Sequence, residues 1–159
     1  RLAGVRWGEV PMDLLAAVVA SGVLVGFAEE TLFRGIFLRG LREGVRAESS
    51  AAIWTAVAFG LFHLPNVFMG MGAIGLVQVF LAAVSGSLPY VFRRHFGAIL
   101  PAMVAHGAWD ISTFLAGGFP APWLDVTSLA MQVVFIVLGL WVLVGLYRDD
   151  RGTVAIAKA

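Results

Sequence analysis

Five stretches of this chain are apolar over a length that approaches or reaches that of a bilayer, and nothing else in its 159 residues constrains the fold as strongly. A spanning helix needs about 20 mostly apolar residues. Residues 14–33, 51–64, 74–92, 97–115 and 124–147 meet that length or come close. Within lipid every backbone N–H and C=O must be satisfied inside the protein, which leaves helices or closed barrels, and runs of this length select helices. Composition agrees. Apolar residues make up 60% of the chain and charged residues 13%, with a mean hydropathy of +0.90. Soluble domains hold roughly 45–50% and about 25%. The expected fold class is all-α, a polytopic transmembrane helix bundle of about five spans.

Local signals place the ends of these helices. Pro11 opens the first, which continues toward Arg39, and Ser49 suits the N-cap of the second, which meets Pro65. A glycine-rich turn at 69–75 leads into the third. Gly117-Gly118-Phe119-Pro120 stops the fourth. No repeat or linker divides the chain, so residues 1–147 read as one membrane core and 148–159 as a short, polar tail. The start at Arg1, without a signal-peptide pattern, suggests a core trimmed from a longer protein.

The basic residues are distributed unevenly. Arg1 and Arg6 fall on one side of a five-span arrangement. Arg39, Arg42, Arg46, Arg93, Arg94, Arg148, Arg151 and Lys158 fall on the other, with Arg34 near its boundary. The positive-inside rule then puts the C-terminus in the cytoplasm. Trp7 and Trp123 fit an outer aromatic belt, Tyr90 and Tyr147 an inner one. Ten Arg against one Lys suggests a GC-rich bacterial genome, hence a bacterial cytoplasmic membrane. A net charge of +1 gives no reason to expect a nucleic-acid partner. The absence of cysteine removes disulfides, thiolate metal sites and a cysteine nucleophile together.

Six ionisable residues interrupt the spans: Glu29, Glu30, Arg34, His63, His106 and Asp110. A charge at the bilayer centre costs at least about 2.5–3.5 kcal/mol, so such residues face the bundle interior and mark a site. At 1.5 Å per residue, Glu29 lies about 15 Å from the basic end of its helix, His63 about 21 Å and His106 about 14 Å. Three helices therefore carry acid or imidazole to similar depths from one membrane face. Glu30 and Arg34 are four residues apart with the acid first, the favourable order for an ion pair. His106 and Asp110 share the same spacing, and Phe59 stands one turn before His63.

Glu29-Glu30-Thr31-Leu32-Phe33-Arg34 matches EExxxR, Phe59-Gly60-Leu61-Phe62-His63 matches FxxxH, and His106-Gly107-Ala108-Trp109-Asp110 matches HxxxN/D. In order, spacing and placement on successive apolar segments the chain resembles the CPBP intramembrane proteases, the family of CAAX prenyl endopeptidases and of Abi-like bacterial proteins linked to bacteriocin self-immunity. The motif-bearing core covers about two thirds of the chain. The resemblance implies a helical bundle enclosing a polar cavity, and an endopeptidase acting near the cytoplasmic face on a membrane-associated peptide or protein, a CAAX-like prenylated one included. It gives Glu29, assisted by His63, the activation of a water, and His106 and Asp110 the oxyanion. It has Glu30 and Arg34 brace the site; Phe59, one turn from His63, reads separately as wall packing, with contact to substrate as the alternative.

Two questions stay open at this level. Zinc wants three protein ligands and a water, which Glu29, His63 and His106 could supply. With no HExxH and no cysteine, a site without metal or other cofactor is favoured. An ionised Asp110 cannot donate to an oxyanion as an asparagine would. The simpler expectation is that it accepts the second N–H of His106. Two rivals from other classes are a proton-coupled transporter, which should show inverted repeats that are absent here, and a non-catalytic immunity or scaffold protein of the same fold.

Overall fold

The computed structural model describes residues 1–44 and 47–156, with side chains throughout except at 124–127 and 152–156. Arg46 and Lys158, both used above in assigning sides, lie outside the described residues. Among the described residues every regular element is helical, as a membrane bundle demands. Helix α1 (Met12–Glu30) starts directly after Pro11. It passes without interruption into a π-helical segment (Thr31–Phe37) and α2 (Leu38–Gly44). Then follow α3 (Glu48–Phe62), α4 (Ile74–Ser85), α5 (Ser87–Phe96), α6 (Leu100–Gly118) and α7 (Leu124–Ile156).

Met12–Gly44, Ile74–Phe96 and Ser128–Arg151 are long and apolar enough to cross a membrane, and Glu48–Phe62 is apolar but shorter. At 1.5 Å per residue, α3 reaches only about 22 Å. The apolar segment expected at 124–147 continues as helix to Ile156. Outward positions such as Leu24, Phe27 and Trp141 are exposed, as lipid-facing side chains are.

Two apolar cores bracket the middle of the bundle. One gathers Leu38, Ala51, Ala52, Tyr90 and Leu146. The other gathers Val5, Leu115 and Ala116, with Leu15 and Ile111 against them. Around the first core the helix ends are tied by polar contacts. Glu48 receives Arg42 and accepts the Tyr90 hydroxyl at 2.6 Å, and the Asp150 carboxylate accepts the Ser49 backbone N–H at 2.7 Å.

Two local expectations change as a result. Ser49 is not the N-cap of the second helix, because α3 already begins at Glu48. An acid from α7 serves that end, where the unsatisfied N–H groups and the helix dipole favour an anion. Tyr90 is only 1% exposed, so it is a core residue and not part of an aromatic belt. Trp7, Trp123 and Tyr147 are half-exposed, as belt residues would be.

Candidate active site

The site begins with a close crossing of α1 and α6. Gly22 and Gly26 stand four apart on α1 and face Gly107. A Cβ at Gly26 would lie 2.5 Å from the Met103 carbonyl oxygen and 2.8 Å from the Gly107 nitrogen; one at Gly107 would lie 2.7 Å from the Gly22 oxygen. Only glycine allows two backbones this near, the small-residue packing used by membrane helices. The contact places the next turn of α1, which carries Glu29 and Glu30, against His106.

Glu30 is fully buried and its Oε1 accepts from two partners, Arg34 Nη1 at 3.0 Å and His106 Nδ1 at 2.8 Å. Arg34, equally buried, donates its other terminal nitrogen to the Gly86 carbonyl, where α4 meets α5. Its guanidinium carbon also lies 4.4 Å from the centroid of the Phe59 ring on α3. The i,i+4 ion pair expected from sequence is present, although Arg34 lies within the π segment that Glu30 precedes. The Thr31 hydroxyl donates to the Phe27 carbonyl at 2.6 Å just where the α ladder gives way. Such back-bonding competes with regular helix, and π turns recur at functional sites.

Beside this sealed brace lies a more accessible trio. The side chains of His106, Glu29 and Asp110 are 10%, 16% and 22% exposed, whereas those of Glu30 and Arg34 are at zero. His106 Nε2 is 3.7 Å from Glu29 Oε2 and 3.6 Å from Asp110 Oδ2. Both distances are long for direct hydrogen bonds. Glu29 Oε2 is buried at the atom level and has no hydrogen-bond partner.

The expectation that Asp110 holds the second N–H of His106 is corrected. Glu30 takes Nδ1, and Asp110 shares the Nε2 side with Glu29. With a carboxylate and no donor facing it, Nδ1 carries a proton. Nε2 is then a lone pair in the neutral ring and a donor only in the imidazolium.

His63 ends α3, and its Nδ1 lies 2.9 Å from the Phe59 carbonyl. A carbonyl can only accept, so Nδ1 donates and Nε2 is left free. His63 lies within electrostatic reach of Glu29 and Asp110. Phe59 is the common wall: its ring centroid is 5.1 Å from that of His63, 5.6 Å from His106 and 5.1 Å from Phe33. Glu29, His63 and His106 are donor types that zinc accepts. Among the described residues, however, no three His, Asp or Glu side chains are grouped to hold a metal ion.

Asn66, Gln78, Ser85, Ser87 and Trp109 serve packing. Asn66 donates to Gln78 at 2.9 Å, and the Ser85 and Ser87 hydroxyls donate to carbonyls of their own turn. The Trp109 ring stacks edge-on to Phe135 at 4.4 Å. Sequence reasoning missed the three glycines that bring α1 and α6 together. The spacing of Gly22 and Gly26, and Gly107 directly after His106, were the signal.

The model of one protein family, the type II CAAX prenyl endopeptidase Rce1-like proteins, matches residues 11–112. The match runs from Pro11 to two residues past Asp110 and so includes every residue of the brace and the trio. No curated protein and no solved structure matches the chain.

Proposed function

The chain belongs to the Rce1-like type II CAAX prenyl endopeptidase family, an integral-membrane protease family acting on membrane-associated substrates, and on that premise we propose the reaction and residue roles that follow. The protein is an intramembrane endopeptidase in which Glu29 accepts a proton from a water as that water attacks the scissile carbonyl. The observation that carries this reading is the convergence of Glu29 and Asp110 on His106 Nε2, while Glu30 holds the opposite ring nitrogen.

A peptide carbonyl needs both an activated water and a donor for the oxygen on which charge develops. The partly exposed Glu29 carboxylate is the acceptor for the water's proton, and the free Nε2 of His63 is a second acceptor that orients it. His106, as imidazolium, offers Nε2–H to the oxyanion. Asp110 and Glu30 on either side of the ring stabilise that charged form in the transition state. The proton then passes to the departing amine, which restores the carboxylate. Arg34 holds Glu30 in place and touches no substrate.

No step in this scheme uses a metal. The substrate is a peptide or protein held at the bilayer, with a CAAX-like prenylated peptide the first to try. The basic ends of α2, α5 and α7 lie together around Glu48, and this face is the cytoplasmic one.

The test is peptidase activity of the purified protein in proteoliposomes on such peptides. Glu29→Gln and His106→Ala should each lose about 10²-fold or more, and wild-type activity should survive exhaustive chelation with less than one zinc per chain. Full activity in Glu29→Gln would overturn the assignment of the base. Loss on chelation with recovery on zinc would overturn the metal-free route.

A further inference from the structure

The junction of α4 and α5 meets the brace from a side that none of the three motifs reaches. Gly86 is the single residue between the two helices, and it is buried. Its carbonyl accepts from Arg34 and so fixes the second arm of that guanidinium. A Cβ at this position would lie 2.9 Å from Cδ1 of Phe59 and 3.1 Å from Nη2 of Arg34. Ordinary contact begins at 3.4 Å, so only glycine leaves both side chains where they are.

Neither neighbour has room to give. The Phe59 ring is enclosed by Phe33, His63 and His106, with centroids at 5.1, 5.1 and 5.6 Å. Arg34 has both terminal nitrogens engaged, one on Glu30 and one on Gly86, and its guanidinium lies over the Phe59 ring. Movement of the junction backbone is resisted as well, because α7 is packed against the residues that flank Gly86. A Cβ at Gly139 of α7 would lie 2.5 Å from the Val84 oxygen and 2.9 Å from the Ser87 hydroxyl. Crowding at Gly86 is therefore passed on by two routes. One runs through Arg34 and Glu30 to His106 Nδ1, the other through the Phe59 ring to both imidazoles.

We propose that Gly86 is a positioning residue of the site. It touches no substrate; its carbonyl and its lack of a side chain together set the place of Glu30 and of the two histidine rings. The link to activity rests on the reaction proposed above, whereas the link to His106 does not. The overlap of a Cβ with Phe59 is about 0.5 Å, the difference between 2.9 and 3.4 Å. A misplacement near 1 Å can cost on the order of 10²-fold in rate, so half of it should cost about tenfold.

Proton–nitrogen correlation spectra of the full chain in micelles, with isotope-labelled histidine rings, test this. The chain has three histidines, and the His106 signal is the one lost in His106→Gln. In the wild type the His106 Nδ1 proton, held by Glu30, should lie downfield and exchange slowly. Gly86→Ala should move it upfield, as a lengthened hydrogen bond does. The same variant should lower kcat on a membrane-tethered peptide by about tenfold with KM within about threefold. Gly75→Ala is the control. Its Cβ would lie 2.7 Å from Cγ2 and 2.9 Å from Cα of Val67, a comparable overlap at the far end of α4 that touches none of the brace. It should leave the His106 signal in place.

An unmoved His106 signal in Gly86→Ala would overturn the proposal. So would the same shift in Gly75→Ala, which would mark a general loosening. A moved signal with unchanged kcat would overturn the role of Gly86 in the reaction. A wild type without peptidase activity would refute the proposed reaction and leave the His106 signal to decide on Gly86. Should Gly86→Ala fail to give a helical, monodisperse protein, Arg34→Lys decides. Its ammonium is a point charge that loses the rigid fork spanning Glu30 and Gly86, and an unmoved His106 signal there would equally overturn the proposal.

Discussion

Adding one methyl group at Gly26 should cost both stability and activity, in amounts that follow from the α1–α6 crossing. In Gly26→Ala the new Cβ would lie 2.5 Å from the Met103 oxygen, where ordinary contact begins at 3.4 Å. Both opposing groups are backbone, so no rotamer change relieves the overlap. The helices must part by about 0.9 Å, the difference between those two distances. If the displacement acts along the Glu30–His106 hydrogen bond, its 2.8 Å becomes about 3.7 Å, beyond bonding range.

Overpacking of this kind costs about 1–3 kcal/mol, and a misplacement near 1 Å can cost on the order of 10²-fold in rate. Unfolding in mixed micelles gives the first quantity and kcat on a membrane-tethered peptide the second. Gly40→Ala and Gly117→Ala, where a Cβ meets nothing within 4 Å, are the controls. They should be neutral or mildly stabilising, since alanine is favoured over glycine in a helix by up to about 1 kcal/mol. A Gly26→Ala protein with the stability and kcat of the controls would refute the claim that this crossing sets the site.

Arg34→Gln leaves Glu30 buried without its cation and should destabilise by about 3–5 kcal/mol in the same unfolding assay. Adding Glu30→Gln should restore part of that loss without restoring peptidase activity, because His106 would still lack its carboxylate. Glu29→Gln should lose activity while unfolding within about 1 kcal/mol of wild type, since its Oε2 makes no hydrogen bond to lose. A parallel fall in stability would recast Glu29 as structural. Tyr90→Phe removes a 2.6 Å hydrogen bond to the Glu48 carboxylate and should cost about 1.5–3 kcal/mol, with kcat unchanged in the fraction that remains folded.

The helical class and the six intramembrane ionisable residues were legible because both are carried by short-range spacing. Apolar runs report helices, and i,i+4 spacing reports the Glu30–Arg34 pair. Which acid would hold His106 was not legible. That depends on the rotation of α1 against α6, which is set by three glycines and a π turn and not by the motifs. Asp110 was the plausible partner from its own helix, yet Glu30, 76 residues away in sequence, occupies the place.

Tyr90 misled for a similar reason. Its position near a span end matches a belt residue, but α2, α3 and α7 close over that end and bury it. The N-terminus of α3 likewise takes its acid from α7, a contact across 101 residues that no local capping signal encodes. The extension of α7 past Tyr147 shows that polar residues 148–151 end the apolar run without ending the helix.

The wider winding of the 31–37 segment sets the phase of the helix that follows it. A π turn is a helix holding one residue more than the α ladder needs, and each residue in an α-helix turns the chain by about 100°. Were the same residues wound as a regular α ladder, everything downstream would swing by about a quarter turn relative to Glu29 and Glu30, because the wider π turn absorbs the angle of its extra residue. Leu38, which is completely buried, would rotate off the core it shares with Ala51 and Tyr90, and Arg42 would lose its line to Glu48. Loss of one residue inside the π turn should instead let the ladder close with the downstream phase kept, and should do less harm than loss of one residue from the α turns on either side. The extra residue acts as a phase adjustment, letting one continuous helix serve the Glu29–Glu30 cluster at one depth and a bundle core at another.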